Sequence, residues 1–182
     1  MTRVFGTLSL IIFALSAWRA PGAEQTVKYR VLGLFSPDRE ADLKESAKEF
    51  KDVKMVSVDY ATAEAEFSYD PDAKDFKGRK PDQILKQIDE MLKRASSHTM
   101  GVKPLSTVPR EKWQKIDIGV VGLDCKGCSL GAYWAVYDLD GVEQATASFK
   151  TGLVTVWFIP EKTNRAALVE ALKKKSVQIK EP

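Results

Sequence analysis

The two cysteines of the chain, Cys125 and Cys128, lie in the stretch Gly-Leu-Asp-Cys-Lys-Gly-Cys that begins at Gly122. Two residues between cysteines allow both sulfur atoms to converge on one soft ion. The motif follows an apolar run typical of a strand and precedes a predicted helix, whose N-terminus favours the thiolate that binds metal. The same spacing occurs in redox dithiols and in local disulfides, so the motif alone leaves three kinds of site open.

The ligands available near this pair limit the kind of metal site. A structural zinc site needs four ligands, and the sequence has neither a second cysteine pair nor a histidine nearby. Asp124 directly precedes the first cysteine, where its side chain could cap the helix.

The chain repeats itself at an offset of 89 residues, which places Gly33 on Gly122 and Pro71 on Pro160. In each half a strand, predicted over 27–34 and 116–123, precedes a helix, two strands joined by a turn, a second helix and a short final strand. This order predicts the α+β class with two tandem ferredoxin-like βαββαβ domains. A polar insertion at 72–80 in the first half is predicted to be an exposed loop.

The N-terminal segment predicts export. An uncharged apolar run of about fifteen residues follows Arg3 and is too short for a spanning helix, so residues 1–23 are predicted to be a cleaved signal peptide. The protein would then be periplasmic or secreted, with no stable membrane anchor after cleavage. The predicted organisation continues with a first domain at 24–105, a linker at 106–114 and a second domain at 115–182. We refer to these two domains as the first and second halves.

Charge and motif content exclude several functions. Lys and Arg number 28 against 25 Asp and Glu, which leaves no concentrated positive field for a nucleic acid. The sequence contains no Ser-His-Asp set, no phosphate-binding loop and no convincing carboxylate pair for acid-base catalysis. We therefore predict a protein that is not an enzyme and does not bind nucleic acid.

The second half, over 116–179, resembles the heavy-metal-associated domain of copper chaperones, periplasmic mercury-binding proteins and metal-pumping P-type ATPases. The similarity is carried by the cysteine motif and by Ala135, Val136, Gly141, Val142, Val156, Phe158 and Pro160 at the family's spacings. Leu123 stands where the family usually has a methionine that packs beneath the loop.

This resemblance implies that Cys125 and Cys128 bind one metal ion per chain, Cu(I) or Zn(II) or another soft divalent ion. Asp124 stands at the variable position before the first cysteine, where a carboxylate is similar to family members that handle divalent ions, so it is a possible third ligand; capping of the helix is the alternative. It also implies that the protein buffers the ion or delivers it to a metal-transporting ATPase or another metal-accepting protein. The alternatives are an envelope thiol-disulfide protein and a protein-interaction module with a vestigial metal site. On the repeat alignment Ser36 and Arg39 replace the two cysteines, so the first half is a degenerate copy that should not bind a soft metal there.

Two further features could bear on the site. Tyr133, Trp134 and Tyr137 should project from the helix that follows the cysteines, away from its sheet-facing side. They are a candidate partner surface, or else a contact with the companion domain. Lys174 or Lys175, at the end of the last helix, is a candidate to approach the cysteines; solvated surface lysines are the alternative.

Overall fold

The computed structural model describes residues 23–180, so the predicted signal peptide, apart from residue 23, lies outside the described residues. The first half comprises β1 (Gln25–Leu32), α1 (Arg39–Ala47), β2 (Val53–Asp59), β3 (Glu64–Tyr69), α2 (Pro81–Ala95) and β4 (Gly101–Lys103). The second half comprises β5 (Gln114–Val121), α3 (Lys126–Tyr137), β6 (Val142–Ser148), β7 (Leu153–Phe158), α4 (Arg165–Lys174) and β8 (Gln178–Ile179). A single 3-10 turn (Arg110–Lys112) lies between them.

Each half forms one four-stranded antiparallel sheet, with the strand orders β2-β3-β1-β4 and β6-β7-β5-β8. The first strand of each half lies between the third and fourth strands, and the second strand forms an edge. This is the order of the ferredoxin-like split βαβ arrangement. The predicted α+β class with two tandem βαββαβ units is therefore confirmed.

Each first strand ends two residues earlier than predicted, because a glycine follows it. Gly33 and Gly122 adopt φ values of 78° and 83°, in the left-handed region that favours glycine. A residue in this conformation ends the extended strand. The next residues, Leu34 and Leu123, then turn into the two cores. Because both leucines are apolar, the sequence pattern placed them in the predicted strands, although they belong to the loops that precede α1 and α3.

Helix α2 shows how the sequence builds these elements. Pro81 begins the helix, where its missing N–H removes no hydrogen bond. The Gln83 side chain accepts a hydrogen bond from the backbone N–H of Lys80, the residue before the helix. Ile84, Ile88 and Leu92 recur at helical spacing and are all buried in the first core.

The segment predicted to be an exposed loop, 72–80, is anchored at its centre. Phe76 is only 2% exposed, and its ring lies 5.0 Å from that of Tyr69. The prediction is wrong at this residue, because one aromatic side chain in a polar segment has no periodicity by which its burial could be recognised. The rest of the segment is mostly exposed.

The first half packs onto the second through Phe35, which follows β1 in the chain but belongs to the second hydrophobic core. Its ring centroid lies 6.1 Å from that of Tyr133, and its carbonyl oxygen accepts a hydrogen bond of 3.0 Å from the N–H of Ala147. The N–H of Gly33 donates to the Tyr133 hydroxyl at 3.0 Å in a buried position. The loop between β1 and α1 is therefore part of the packing of the second half.

The edge strand β6 of the second sheet is also covered by the first half. The buried guanidinium of Arg30 donates to the carbonyl oxygen of Glu143 at 2.9 Å, and Lys103 reaches the carbonyl oxygen of Val142 at 3.5 Å. Arg30 also lies over the ring of Trp113, 4.9 Å from its centroid. An open sheet edge is a template for pairing with another chain, and these contacts occupy carbonyl oxygens of that edge.

The segment between the halves takes part in the same contact. Arg110 donates to the carbonyl oxygen of Thr62 at 2.7 Å in the first half and lies 3.5 Å from Gln144 in the second. Strand β5 begins at Gln114, one residue inside the predicted linker. The connection is therefore packed against both halves.

The aromatic residues of α3 are not a free surface. Tyr133 and Tyr137 are buried, and the ammonium group of Lys103 lies 4.6 Å from the centroid of the Tyr137 ring. Trp134 is partly buried beside the two tyrosines. The predicted partner surface is wrong for Tyr133 and Tyr137, because the first half covers them; the alternative, packing against the companion domain, is what the structure shows.

Replacement of Phe35 tests how much the second core depends on the first half. We expect Phe35→Ala to lower the free energy of unfolding by about 3 kcal/mol, because it leaves a cavity beside Tyr133. The matched control is Phe149→Ala, whose side chain is 47% exposed and whose removal should change stability by less than about 0.5 kcal/mol. Urea unfolding measures both, and equal losses would contradict the shared core.

Candidate metal-binding site

The loop that carries the cysteines is anchored to the second hydrophobic core by a residue at its start. Gly122 turns the chain out of β5, and Leu123 is buried in the second core. This packing is the role that the resemblance implies for the residue at this position, with leucine in place of methionine. The loop is therefore fixed at its base, while the next residues are exposed up to the first turn of α3.

Cys125 is the N-cap residue of α3. Its sulfur accepts a hydrogen bond of 3.1 Å from the backbone N–H of Cys128, which would otherwise lack a partner within the helix. The capping role proposed for Asp124 therefore belongs to Cys125. Both cysteines are exposed and are not joined in a disulfide, so both sulfur atoms are accessible from solvent.

The two thiols differ in acidity. The Cys128 thiol donates to the Cys125 sulfur, and this hydrogen bond, with the backbone N–H of Cys128, lowers the pKa of Cys125 below its ordinary value. The same hydrogen bond between the two thiols raises the pKa of Cys128, because the Cys128 proton is held in it. The negative charge of Asp124 partly opposes the ionisation of Cys125. The first thiolate therefore forms at Cys125.

The described residues supply few other metal ligands. Within 23–180, no group of three or more His, Cys, Asp or Glu side chains is placed to hold a metal ion together. The candidate site in this arrangement therefore consists of the two thiols. Asp124 is not gathered with them, and its part as a third ligand stays a prediction.

The two lysines considered from the sequence have different positions. Lys174 forms an ion pair with Glu170 at 2.8 Å, on the surface of α4. Lys175 lines a cleft of about 400 Å³ together with Cys128, Gly131 and Gln178. Of the two, Lys175 is therefore the one that borders the cysteine site.

An arginine occupies the corresponding place in the first half. Arg39, the counterpart of Cys128, is buried and donates to the carbonyl oxygen of Gly33 at 3.2 Å and to the Thr99 hydroxyl at 2.9 Å. Its third hydrogen bond, of 2.8 Å, goes to the Asp42 carboxylate. The guanidinium thus closes the loop of the first half with hydrogen bonds, and no thiol is present there.

Sequence reasoning missed one residue of the cysteine loop, Lys126. Its ammonium nitrogen lies 2.8 Å from Asp38 Oδ2 and 3.6 Å from Asp42 Oδ2, both in the first half. More than eighty positions separate the partners in the chain, and nothing in the local pattern around any of them indicates the pairing.

Comparisons with known proteins gave structural neighbours only. No protein-family model matches the chain, and no curated protein matches it. The chain is similar to a CopZ metallochaperone, with 21% identity, a TM-score of 0.36 and coverage of 37% of this chain and 100% of that one. It is similar to oxidized MerP from Ralstonia metallidurans CH34, with 24% identity, a TM-score of 0.36 and coverage of 37% and 94%. The N-terminal soluble domains of Bacillus subtilis CopA are 20% identical, with a TM-score of 0.35 and coverage of 87% and 94%.

The difference in acidity between the thiols predicts an order of alkylation. In the reduced, metal-free protein near neutral pH, iodoacetamide should modify Cys125 faster than Cys128, because the lowered pKa gives Cys125 the larger thiolate fraction. Asp124→Asn should speed the reaction at Cys125 further by removing an opposing charge. Peptide mass spectrometry of samples quenched over time measures both rates; faster modification of Cys128 would contradict the assignment.

Proposed function

We propose that this chain is an exported, non-catalytic protein that binds one soft or borderline metal ion, such as Cu(I) or Zn(II), and buffers or delivers it. The observation that carries the proposal is the pair of exposed thiols at the N-terminus of α3, hydrogen-bonded to each other and to one backbone N–H. A thiolate is the ligand that soft ions prefer, and this position lowers the pKa of one of the two.

The arrangement suits capture of an ion from solvent and its later release. The Cys125 thiolate would bind first, and Cys128 would lose its proton as the second bond forms, so that binding releases protons. The loop is fixed at its base by the buried Leu123, whereas both cysteines are exposed. With two protein ligands, the ion keeps positions open for a thiolate of an acceptor, such as a metal-transporting ATPase or another metal-accepting protein.

Export is proposed from the apolar segment near Arg3 in the sequence, which precedes the described residues. Among residues 23–180, no helix has both the length and the apolar character needed to cross a membrane. The proposed compartment is the periplasm or the extracellular space. Thiols can oxidise there, so the redox state of the pair would control whether the ion binds.

An anaerobic competition titration tests the metal site directly. The reduced protein lacking residues 1–23 is titrated against chelators of Cu(I) and Zn(II), beside the variant Cys125→Ser with Cys128→Ser. We expect binding of one ion per chain in the first protein and its loss in the variant, whose far-UV circular dichroism should be unchanged because both thiols lie outside the core. Equal binding by both proteins would overturn the proposal, as would no binding by either.

The acidity of Cys125 also favours a second candidate function, thiol-disulfide exchange. A thiolate of lowered pKa beside a second thiol is the arrangement of an attacking and a resolving cysteine. Equilibration in glutathione buffers measures the reduction potential of the pair. Redox cycling requires a potential between about −270 and −120 mV, whereas a value below about −300 mV would exclude exchange with glutathione.

A further inference from the structure

The cysteine loop carries one cation, and the first half neutralises it. Lys126 lies between the two cysteines in the chain and is the one basic residue of the loop from Gly122 to Cys128. That group is instead paired with Asp38 and Asp42 across the contact between the halves. Without this ion pair, the cysteine loop would carry an unpaired positive charge.

The two carboxylates are themselves held in place. Asp38 accepts a hydrogen bond of 2.6 Å from the hydroxyl of Ser36, the counterpart of Cys125. Asp42 accepts from Arg39, the counterpart of Cys128, at 2.8 Å. The residues that replace the cysteines in the first half thus orient the acids that pair with the cysteine loop of the second half.

The segment that carries these acids is fixed against α3. The buried hydrogen bond from Gly33 to Tyr133 and the insertion of Phe35 into the second core come directly before it in the chain. Gly33 also admits no side chain, because an added Cβ would collide with the carbonyl oxygen of Thr99. The position of Asp38 and Asp42 beside the cysteine loop therefore follows from the packing of the two halves.

We infer that the cysteine-free half sets the local charge at the ion site through Asp38 and Asp42, and thereby shifts the preference of the thiol pair from monovalent toward divalent ions. The inference rests on the proposed function. Two thiolates holding a monovalent ion keep one negative charge, which a free ammonium group would stabilise, whereas the same thiolates holding a divalent ion are neutral. Pairing Lys126 with the carboxylates removes that advantage of the monovalent ion.

A charge series in the otherwise intact protein tests the inference. In order of increasing positive charge near the cysteine loop, the series consists of Lys126→Met, the unaltered protein, Asp38→Asn, and Asp38→Asn combined with Asp42→Asn. Competition titrations with Cu(I) and with Zn(II) at about 10 mM ionic strength, where screening is weak, give the ratio of the two affinities. The preference for Zn(II) over Cu(I) should fall in that order, by about twofold per unit charge for groups roughly 10 Å from the ion in water.

Two controls separate local charge from other effects. Lys126→Arg keeps the charge and should leave the ratio unchanged. Asp140→Asn removes a carboxylate that pairs with Lys162 beyond the other end of α3, a 12-residue helix about 18 Å long, and should change the ratio much less than Asp38→Asn. Circular dichroism of each variant confirms that it is folded before it is titrated.

The outcomes are distinct. A fall in the ratio along the series, with both controls near the unaltered protein, supports the inference. Ion binding with one constant ratio in all variants overturns it and leaves the proposed function standing. No ion bound by the unaltered protein overturns the proposed function, and the inference with it.

Discussion

The insertion of Phe35 from the first half into the core of the second is the contact on which the rest of the arrangement depends. It brings the loop after β1 against α3, and the hydrogen bond between Gly33 and Tyr133 fixes its direction. The same contact covers Tyr137 and places first-half groups along the edge strand β6. The second half therefore has an apolar helix face and a sheet edge that the first half covers, and the two halves pack against each other.

The two halves share one fold but carry loops with different chemistry. In the second half the loop ends in two exposed thiols, and the Cys125 sulfur accepts a hydrogen bond from the backbone N–H of Cys128. In the first half Arg39 uses its guanidinium to tie Gly33, Thr99 and Asp42 together. A planar group with five donors can close such a loop without an ion. The same scaffold thus carries two exposed thiols in one half and a loop closed by hydrogen bonds in the other.

The thiol pair combines a rigid base with an exposed tip. Burial of Leu123 anchors the loop, whereas Cys125 and Cys128 face solvent and can exchange a ligand without opening the core. Binding of the proposed ion at such a site would not need to stabilise the fold. Charged groups around the loop, such as Lys126 and its partners, would then act on the affinity for the ion without changing stability.

The repeat, the βαββαβ order of each half and the position of the cysteine pair at the start of a helix could all be predicted from the sequence, because they depend on local periodicity and on spacing within a few residues. What covers the apolar faces could not be predicted in this way. Periodicity shows that a side such as that of Tyr133 and Tyr137 is apolar, but not whether solvent, a partner or the companion domain lies against it. Isolated long-range contacts, such as Phe35 in the second core and Lys126 with Asp38, leave no local pattern, because their partners are separated by about a hundred residues and meet only when both halves have folded and packed.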